Sequence, residues 1–194
     1  MSAPDSAKTP GANRRYRTIV ADPPWPYNEK LTLSWRKGRP SGEGKPFLSY
    51  PTMPLDEIAA LPMAVLADQE AHLFVWTTQR YLVWTQAQVA TWGFQYRKLL
   101  VWAKPPTGFS LGATFGNSCE FIVYATRGKP ERHGKVSRDW WEWSRAGHSV
   151  KPEAFLDVVE CVCPGPYLEL FARRQRLGWD TWGNEALNHV DVAV

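Results

Sequence analysis

The amino-acid sequence predicts a single α/β domain with a mainly parallel sheet. Short apolar runs typical of buried strands alternate with helical segments along the chain, and Pro or Gly bounds most of them. The composition agrees, because 44% of the 194 residues are hydrophobic and 22% are charged, as in ordinary globular proteins. Residues 1–14 are polar and aperiodic, so we expect a flexible tail ahead of one domain at 15–194.

The first predicted strand, 18–21, is an apolar run that ends at Asp22-Pro23-Pro24, because proline cannot donate to a sheet ladder. Residues 26–53 follow without periodicity, and a loop of this length in a compact domain is usually functional or mobile. Proline is well tolerated at the start of a helix, so Pro54 is predicted to begin a short helix that Pro62 interrupts.

The middle of the chain predicts a strand, a helix and two more strands. In chain order they are strand 71–76, helix 79–92 ended by Gly93, strand 97–103 and strand 119–125. The apolar residues of the helix, Val83, Ala87 and Ala90, are spaced to share one face. A glycine-rich loop at 105–118 separates the last two strands.

The C-terminal third predicts one amphipathic helix between strands. Pro152 begins this helix, its apolar residues recur with helical spacing, and Pro164-Gly165-Pro166 ends it. An edge strand is predicted near Trp140–Trp143, and two strands follow the helix at 167–171 and 179–182. Strands alternating with helices are what favours a parallel sheet flanked by helices.

Composition excludes several functional classes. The three cysteines form no CxxC pair, so neither a disulfide framework nor a metal site is expected. No apolar run reaches the length of a membrane span, and the N-terminal segment lacks the apolar stretch of a signal peptide. The sequence therefore predicts a soluble, cytoplasmic protein.

One loop carries the net charge of +4. Its cations outnumber its one acid, Glu43, by four, and they are Lys30, Arg36, Lys37, Arg39 and Lys45. Trp35 lies among them, and aromatic rings between cations are typical of surfaces that bind single-stranded nucleic acid. Arg36, Lys37 and Arg39 are the predicted phosphate contacts, and a merely solvated loop is the alternative.

The segment Asp22-Pro23-Pro24-Trp25 is the strongest candidate for a reactive site. Ligands of open α/β sheets bind beyond the carboxyl ends of strands, and Asp22 follows such an end. A carboxylate, rigid proline carbonyls and a flat indole suit a planar group that bears an amine. The alternative is structural, with Asp22 capping a turn and Trp25 in the core.

These residues resemble the catalytic DPPW motif of N6-adenine methyltransferases, and in particular the family of the catalytic subunit of the eukaryotic mRNA adenine methyltransferase with its small bacterial and phage members. The resemblance covers roughly residues 17–185 and includes further motifs in the same order. They are Tyr50-Pro51-Thr52-Met53, His72 to Thr78, Trp92-Gly93-Phe94, Trp102-Ala103-Lys104, His148 with Lys151-Pro152, Glu169 to Arg173, and Gly183-Asn184-Glu185.

The resemblance implies a Rossmann-like fold and methyl transfer from S-adenosylmethionine to the N6 amine of adenine. Asp22 and the carbonyl of Pro23 are then the acceptors for the amine, and Trp25 stacks on the base. Tyr50 and Glu120 resemble residues near the substrate base. Because a duplex hides the amine, the base has to be flipped out or come from a single strand.

The resemblance also implies a cofactor-binding set at the other end of the chain. Lys151, at a helix start, resembles the lysine that meets the methionine carboxylate of the cofactor, and Asp22 lies near the cofactor's amino group. Residues that resemble contacts to its apolar and ribose portions are Phe171, Arg173, Asn184 and Glu185.

The sequence departs from the family pattern in places and leaves alternatives open. Gln175 and Arg176 replace a His and an Asn that follow the arginine in the mRNA enzyme, and the glycine-rich FxGxG loop of many methyltransferases is absent. No upstream cofactor segment or separate recognition domain is expected, so a homodimer or a partner subunit is an open possibility. DNA is the expected substrate. RNA, a small-molecule acceptor and a non-catalytic partner subunit are the alternatives.

Overall fold

Seven strands form one twisted sheet in the computed structural model, which describes residues 14–26, 51–105, 115–144 and 150–192. In chain order the strands are β1 (Tyr16–Ala21), β2 (Ala67–Thr77), β3 (Gln95–Ala103), β4 (Cys119–Arg127), β5 (Trp140–Glu142), β6 (Tyr167–Leu170) and β7 (Trp179–Trp182). Their order across the sheet is β5-β3-β4-β2-β1-β6-β7. All seven predicted strands are therefore confirmed, with ends that shift by a few residues.

The sheet is mixed. β1 pairs in parallel with β2 and with β6, and β6 with β7 and β3 with β5 are also parallel. β4 is antiparallel to both of its neighbours, β2 and β3. An antiparallel strand brings its amino end to the edge where its neighbours have their carboxyl ends, so β4 begins where β2 and β3 end.

Four α-helices accompany the sheet within the described residues. They are α1 (Leu55–Ala59), α2 (Met63–Leu66), α3 (Leu82–Thr91), which follows a 3-10 turn at Gln79–Tyr81, and α4 (Glu153–Val162). Pro54 and Pro152 precede α1 and α4 as N-cap residues rather than opening them, and α2 was not predicted. None of these helices is long and apolar enough to cross a bilayer.

Two buried clusters cover the two faces of the sheet. Because side chains alternate along a strand, Ile19 of β1 faces α1, α2 and α3, whereas its neighbour Val20 faces α4. On the α4 face, Phe155 packs edge-on against Phe74 and Trp76 of β2. This aromatic packing fixes α4, and with it the residues just before α4, against the end of the sheet.

The buried side of α3 is more polar than its sequence indicates. Val83, Ala87 and Ala90 share one face, as predicted, but this face is exposed, with 78% of Val83 accessible. The buried residues are Thr85, Gln88 and Val89. Thr85 Oγ1 hydrogen-bonds to Thr77 Oγ1 (2.9 Å), and Gln88 Nε2 donates to the carbonyl of Ala59 (3.4 Å), so these polar groups are buried with partners.

No helix connects β4 to β5. Residues 128–139 instead cross the α4 face of the sheet as an irregular segment. Val136 packs against the buried cluster on this face, and the backbone N–H of His133 donates to the carbonyl of Val162 (3.0 Å). His72 Nε2 lies 2.8 Å from the carbonyl oxygen of Glu131. The segment is therefore anchored at several points.

Candidate active site

One cavity of about 340 Å³ opens at the end of the sheet where β1, β2 and β6 have their carboxyl ends. Asp22 follows β1, Thr78 follows β2 and Phe171 follows β6, so three neighbouring parallel strands each contribute a residue. The lining residues are Asp22, Pro23, Pro24, Trp25, Pro51, Thr77, Thr78, Glu120, Lys151, Phe171, Ala172, Arg173, Asn184 and Glu185. The predicted strand-end site is thus formed by residues distant in sequence.

Four alternating charges lie at this end of the sheet, and three of them, Asp22, Glu120 and Lys151, line the cavity. Lys151 Nζ lies 2.8 Å from Asp22 Oδ2 and 3.3 Å from Glu120 Oε2. Lys104 Nζ pairs with the other oxygen of the same glutamate, Oε1. We call the series Lys104–Glu120–Lys151–Asp22 the ion chain. Each of its side chains is 21% exposed or less, so its attractions are screened weakly by solvent.

The ion chain holds its members in defined charge states. Burial raises the pKa of Asp22, and the Lys151 ammonium only partly offsets this. Burial also raises the pKa of Glu120, but Lys151 and Lys104 outweigh it, so that pKa lies below its usual value. Burial lowers the pKa of Lys151, yet Asp22 and Glu120 outweigh it and keep this lysine protonated. Asp22 is thus the carboxylate that protonates first as the pH falls.

Two tryptophans support the lysines of the ion chain. Lys151 Nζ lies 5.4 Å from the centre of the Trp76 ring, and Lys104 Nζ lies 4.7 Å from the centre of the Trp102 ring. The two rings meet edge to face at 5.9 Å on the α4 side of the sheet. A cation over an indole face is attracted by the ring quadrupole, so these rings stabilise both ammonium groups where water is scarce.

The carbonyls of the two prolines after Asp22 already accept one hydrogen bond each. Trp25 N–H donates to Pro23 O (2.9 Å), and Met53 N–H donates to Pro24 O (2.8 Å). A carbonyl oxygen has two lone pairs, so Pro23 O keeps one for a ligand. These bonds and the fixed φ of proline hold the carbonyls rigidly beside the cavity.

Trp25 combines a structural role with a place in the cavity wall. Its ring is 5% exposed, stacks on Tyr81 at 5.0 Å, and donates from Nε1 to the carbonyl of Trp76 (3.1 Å). Most contacts of Trp25 are therefore those of a core residue, which is the structural alternative that the sequence left open. Stacking of Trp25 on a substrate base stays a prediction.

The other predicted cofactor residues, Phe171, Arg173, Asn184 and Glu185, line the same cavity as Asp22 and Lys151. Phe171 has a φ of 63°, which is rare for a residue with a side chain and marks local strain just beyond β6. Ala172 N–H donates to Trp182 O (3.0 Å), and a Cβ at position 183 would collide with the backbone of Ala172, so only glycine fits there. This close approach brings Asn184 and Glu185 beside Arg173, whose Nε lies 3.8 Å from Glu185 Oε1.

Several predicted substrate residues lie outside the described residues. They are Tyr50 and the loop cations Arg36, Lys37 and Arg39. His148 of the matched His-x-Lys-Pro step lies outside them too. Their roles stay predictions. Glu120 lies in the cavity wall, and both of its carboxylate oxygens are ion-paired. It is therefore not simply a solvent-exposed residue at the start of a strand.

Sequence reasoning gave no role to two residues that the structure brings to this site. Lys104 ends the ion chain, and the signals for it were its place directly after an apolar strand and the matched Trp102-Ala103-Lys104 motif, to which no role was given. Thr78 lines the cavity, and its Oγ1 is buried without a hydrogen-bond partner among the described residues. A buried hydroxyl without a partner is costly, which sets this position apart from an ordinary strand end.

Comparison with known proteins agrees with this geometry. The MT-A70 family model matches residues 16–185. The type II methyltransferase M.MunI of a Mycoplasma species is 32% identical over 187 residues, covering 89% of this chain and 78% of that protein. The N6-methyladenosine RNA methyltransferase MTA1 of Cryphonectria parasitica is 28% identical over 187 residues, and this chain spans 51% of its length. The human N(6)-adenine-specific methyltransferase METTL4 is 46% identical over 50 residues, which is 24% of this chain and 11% of that protein.

Proposed function

The chain belongs to the MT-A70 family, and on this premise we propose that it transfers a methyl group from S-adenosylmethionine to the N6 amine of adenine in nucleic acid. DNA is the proposed substrate, because this short chain resembles small bacterial and phage members of the family and covers 78% of a bacterial relative named as a type II methyltransferase. The observation that carries the proposal is the Asp22 carboxylate, fixed at the carboxyl end of β1 by Lys151 and followed by rigid proline carbonyls. We also propose a Rossmann-like methyltransferase fold and a cytoplasmic location.

In the proposed reaction Asp22 and Pro23 direct the amine. The lone pair of an adenine amine is delocalised into the ring, which makes the nitrogen a poor nucleophile. Lys151 occupies Asp22 Oδ2, which leaves Oδ1 for one N–H of the amine, and the free lone pair of Pro23 O accepts the other. Two acceptors on the N–H groups favour a pyramidal nitrogen whose lone pair points away from them. Much of the rate gain then comes from positioning and from fixed charges.

The cavity suits the proposed cofactor. Its volume of about 340 Å³ is within the usual range for small-molecule sites, and it joins cations, carboxylates and an amide. When bound, S-adenosylmethionine supplies an electrophilic methyl on sulfur: a C–N bond forms as the C–S bond breaks, and sulfur keeps the electron pair. Glu185 and Asn184 would hold the ribose hydroxyls, and Phe171 would pack on the apolar portion.

In the proposed site Lys151 both holds the Asp22 and Glu120 carboxylates and binds the cofactor. Its ammonium has three donors, and two of them are used by Asp22 and Glu120. The third remains for the carboxylate of the cofactor. The methylated ammonium then loses its proton to solvent, since it is acidic enough to need no strong base. Asp22 therefore acts as an orienting acceptor and not as a strong base.

RNA is the second candidate substrate, because the fungal relative is named as an RNA methyltransferase. A non-catalytic subunit is the third possibility, and the presence of Asp22, Lys151 and Asn184 in one cavity argues against it. Whether the protein works as a homodimer or with a partner subunit stays a prediction.

The test is methyl transfer from labelled S-adenosylmethionine to duplex DNA, single-stranded DNA and RNA of matched sequence. We expect label in N6-methyladenine, and a loss of roughly 10²–10³-fold in rate for Asp22→Asn. Asp157→Asn is the matched control, because Asp157 is a carboxylate on the exposed side of α4, 65% accessible. Cofactor binding without transfer to any polymer would contradict the proposed acceptor, and an active Asp22→Asn variant would contradict the proposed mechanism.

A further inference from the structure

The segment between β4 and β5 carries a regular row of cations. Lys129, Arg132, Lys135 and Arg138 follow one another at intervals of three residues. Consecutive cations are therefore at most about 11 Å apart along the chain. That spacing is comparable with the Debye length of about 8 Å at physiological ionic strength, so neighbouring cations of the row are only partly screened from one another. We call these four residues the basic ridge.

The ridge cations are exposed, and Glu131 and Asp139, the two acids beside them in sequence, pair with cations of the sheet. All four residues are exposed, and none makes an ion pair with another described residue. Glu131 pairs with Arg17 of β1 (2.5 Å), and Asp139 pairs with Lys98 of β3 (3.0 Å). The two acids of this segment thus pair with cations of the sheet and not with cations of the ridge.

The ridge is held on a rigid base. The backbone of this segment bonds to α4 through His133 and to β2 through the carbonyl of Glu131, and Val136 packs into the core. Charges on an anchored segment lose less conformational freedom on binding than charges on a flexible tail. A row of fixed cations fits a ligand that repeats its anionic group.

The ridge leads to the end of the sheet that carries the cavity. Asp139 O accepts the N–H of Val101, and β5 then pairs with the last three residues of β3. The next residue after β3 is Lys104, the first member of the ion chain. A polyanion lying along the ridge would therefore run toward the cavity.

We infer that the basic ridge binds the phosphate backbone of the nucleic-acid strand whose adenine enters the cavity. This inference rests on the proposed function, and it assigns substrate contacts to residues outside the cavity and outside the basic loop at 30–45. Phosphate contacts position a strand without reading its sequence. The ridge thus contributes affinity and direction, and it leaves the choice of target sequence to other residues.

The test is a salt titration of binding with the full chain. A fluorescent single-stranded DNA oligonucleotide is the probe, and the variant is Lys135→Gln with Arg138→Gln. The matched control is Arg14→Gln with Arg15→Gln, which removes two exposed cations just before the amino end of β1, the other end of the sheet. Each lost phosphate contact lowers the slope of log K against log salt by roughly 0.7, so the ridge variant should lose about 1.4.

We expect the control to keep the original slope, and the ridge variant to raise KM for the polymer several-fold with kcat unchanged. A separate variant, Lys135→Arg with Arg138 unchanged, carries both charges and should keep the original slope. An unchanged slope in the ridge variant, or an equal loss in the control, overturns the inference. So does a result in which the ridge variant loses binding to vesicles of anionic phospholipid while oligonucleotide binding is unaffected.

The same titration separates this inference from the proposed function. Binding needs no methyl transfer, so a reduced slope in the ridge variant supports the ridge even if no polymer is methylated. Methyl transfer to DNA together with an unchanged slope would support the proposed function and refute the ridge.

Discussion

The Asp22 side of the cavity and the Glu185 side differ in how their charges are held. On the Asp22 side, four alternating charges are largely enclosed and joined by short contacts. On the Glu185 side, Glu185 is 55% exposed and its contact with Arg173 spans 3.8 Å. Exposed ion pairs of this kind contribute little to stability. The first side is arranged before any ligand arrives, whereas the second is free to adjust to one.

This difference suits the division of labour in the proposed reaction. Methyl transfer needs acceptors placed within a fraction of an ångström, which favours a prearranged and enclosed set of charges. A cofactor that enters and leaves in every cycle is better served by an accessible wall. The following three predictions test the contrast, from the largest expected effect to the smallest.

Lys104→Met should disrupt the ion chain on the Asp22 side of the cavity. Without this cation, Glu120 loses one of its two partners, so its pKa should rise and its hold on Lys151 should weaken. We expect roughly a tenfold to hundredfold loss in kcat, and a loss of about 2–3 kcal/mol in the free energy of unfolding from the disrupted buried network. The pH dependence of single-turnover methyl transfer is the measurement.

The sign of the pH effect follows from the direction of the shifts. Asp22 still protonates first as the pH falls, so a raised pKa for Glu120 brings the two protonations closer together and should make the acid side of the rate profile steeper in Lys104→Met. Lys104→Arg keeps the charge and should restore the profile. A profile unchanged by Lys104→Met would contradict the role of the ion chain.

Glu185→Gln tests the Glu185 side of the cavity. The variant loses a charge-assisted contact to the ribose, which corresponds to roughly a tenfold weaker affinity for the cofactor. Because the side chain is more than half exposed, the free energy of unfolding should change by less than about 0.5 kcal/mol. Calorimetric titration with S-adenosylhomocysteine and a thermal unfolding curve measure the two quantities. A large loss of stability with unchanged affinity would show that Glu185 stabilises the fold and does not contact the cofactor.

Glu169→Gln tests a half-buried acid of β6, the strand between β1 and β7, which lies outside the lining of the cavity. Burial raises the pKa of Glu169 to about 7, and its Oε2 has no hydrogen-bond partner among the described residues. Between the ordinary carboxyl pKa and 7 the folded protein binds more protons than the unfolded chain, so stability falls as the pH rises through this range. The variant should remove that decline and gain about 1–2 kcal/mol at pH 8.

Chemical denaturation at pH 5 and at pH 8 checks the Glu169 prediction. At pH 5 the variant and the original protein should differ little, because the glutamate is then protonated in the folded state. Equal stability of the two proteins at pH 8 would show that the carboxylate is already compensated.

β1, most of β2 and the middle of β4 were predictable because they are buried on both faces and appear as apolar runs. The beginning of β2 was missed, because Asp68, Gln69 and Glu70 are polar and yet belong to the strand. The direction of β4 was not predictable either, since an apolar run has the same composition in both orientations. Which face of α3 is buried was not predictable from the sequence either. Thr85 and Gln88 of α3 are buried because their hydrogen-bond partners lie in other elements.

The motif around Asp22 predicted where the cavity would lie, and the family pattern predicted most of its lining. The ion chain was beyond sequence reasoning, because it depends on β4 beginning where β3 ends. Only then do Lys104 and Glu120, separated by a glycine-rich loop, meet at one point. Lys151 was predicted to meet the cofactor, but its two carboxylate partners became visible only in three dimensions.

The contact between Asp22 and Lys151 joins residues 129 positions apart. On a ribosome that adds roughly 5–20 residues each second, the lysine is synthesised about 6–26 s after the aspartate. During that interval the Asp22 carboxylate lacks the counter-charge that makes its burial tolerable. We therefore expect the growing chain to keep β1 solvated until α4 and β6 have emerged, so that no methyl transfer precedes completion of the fold.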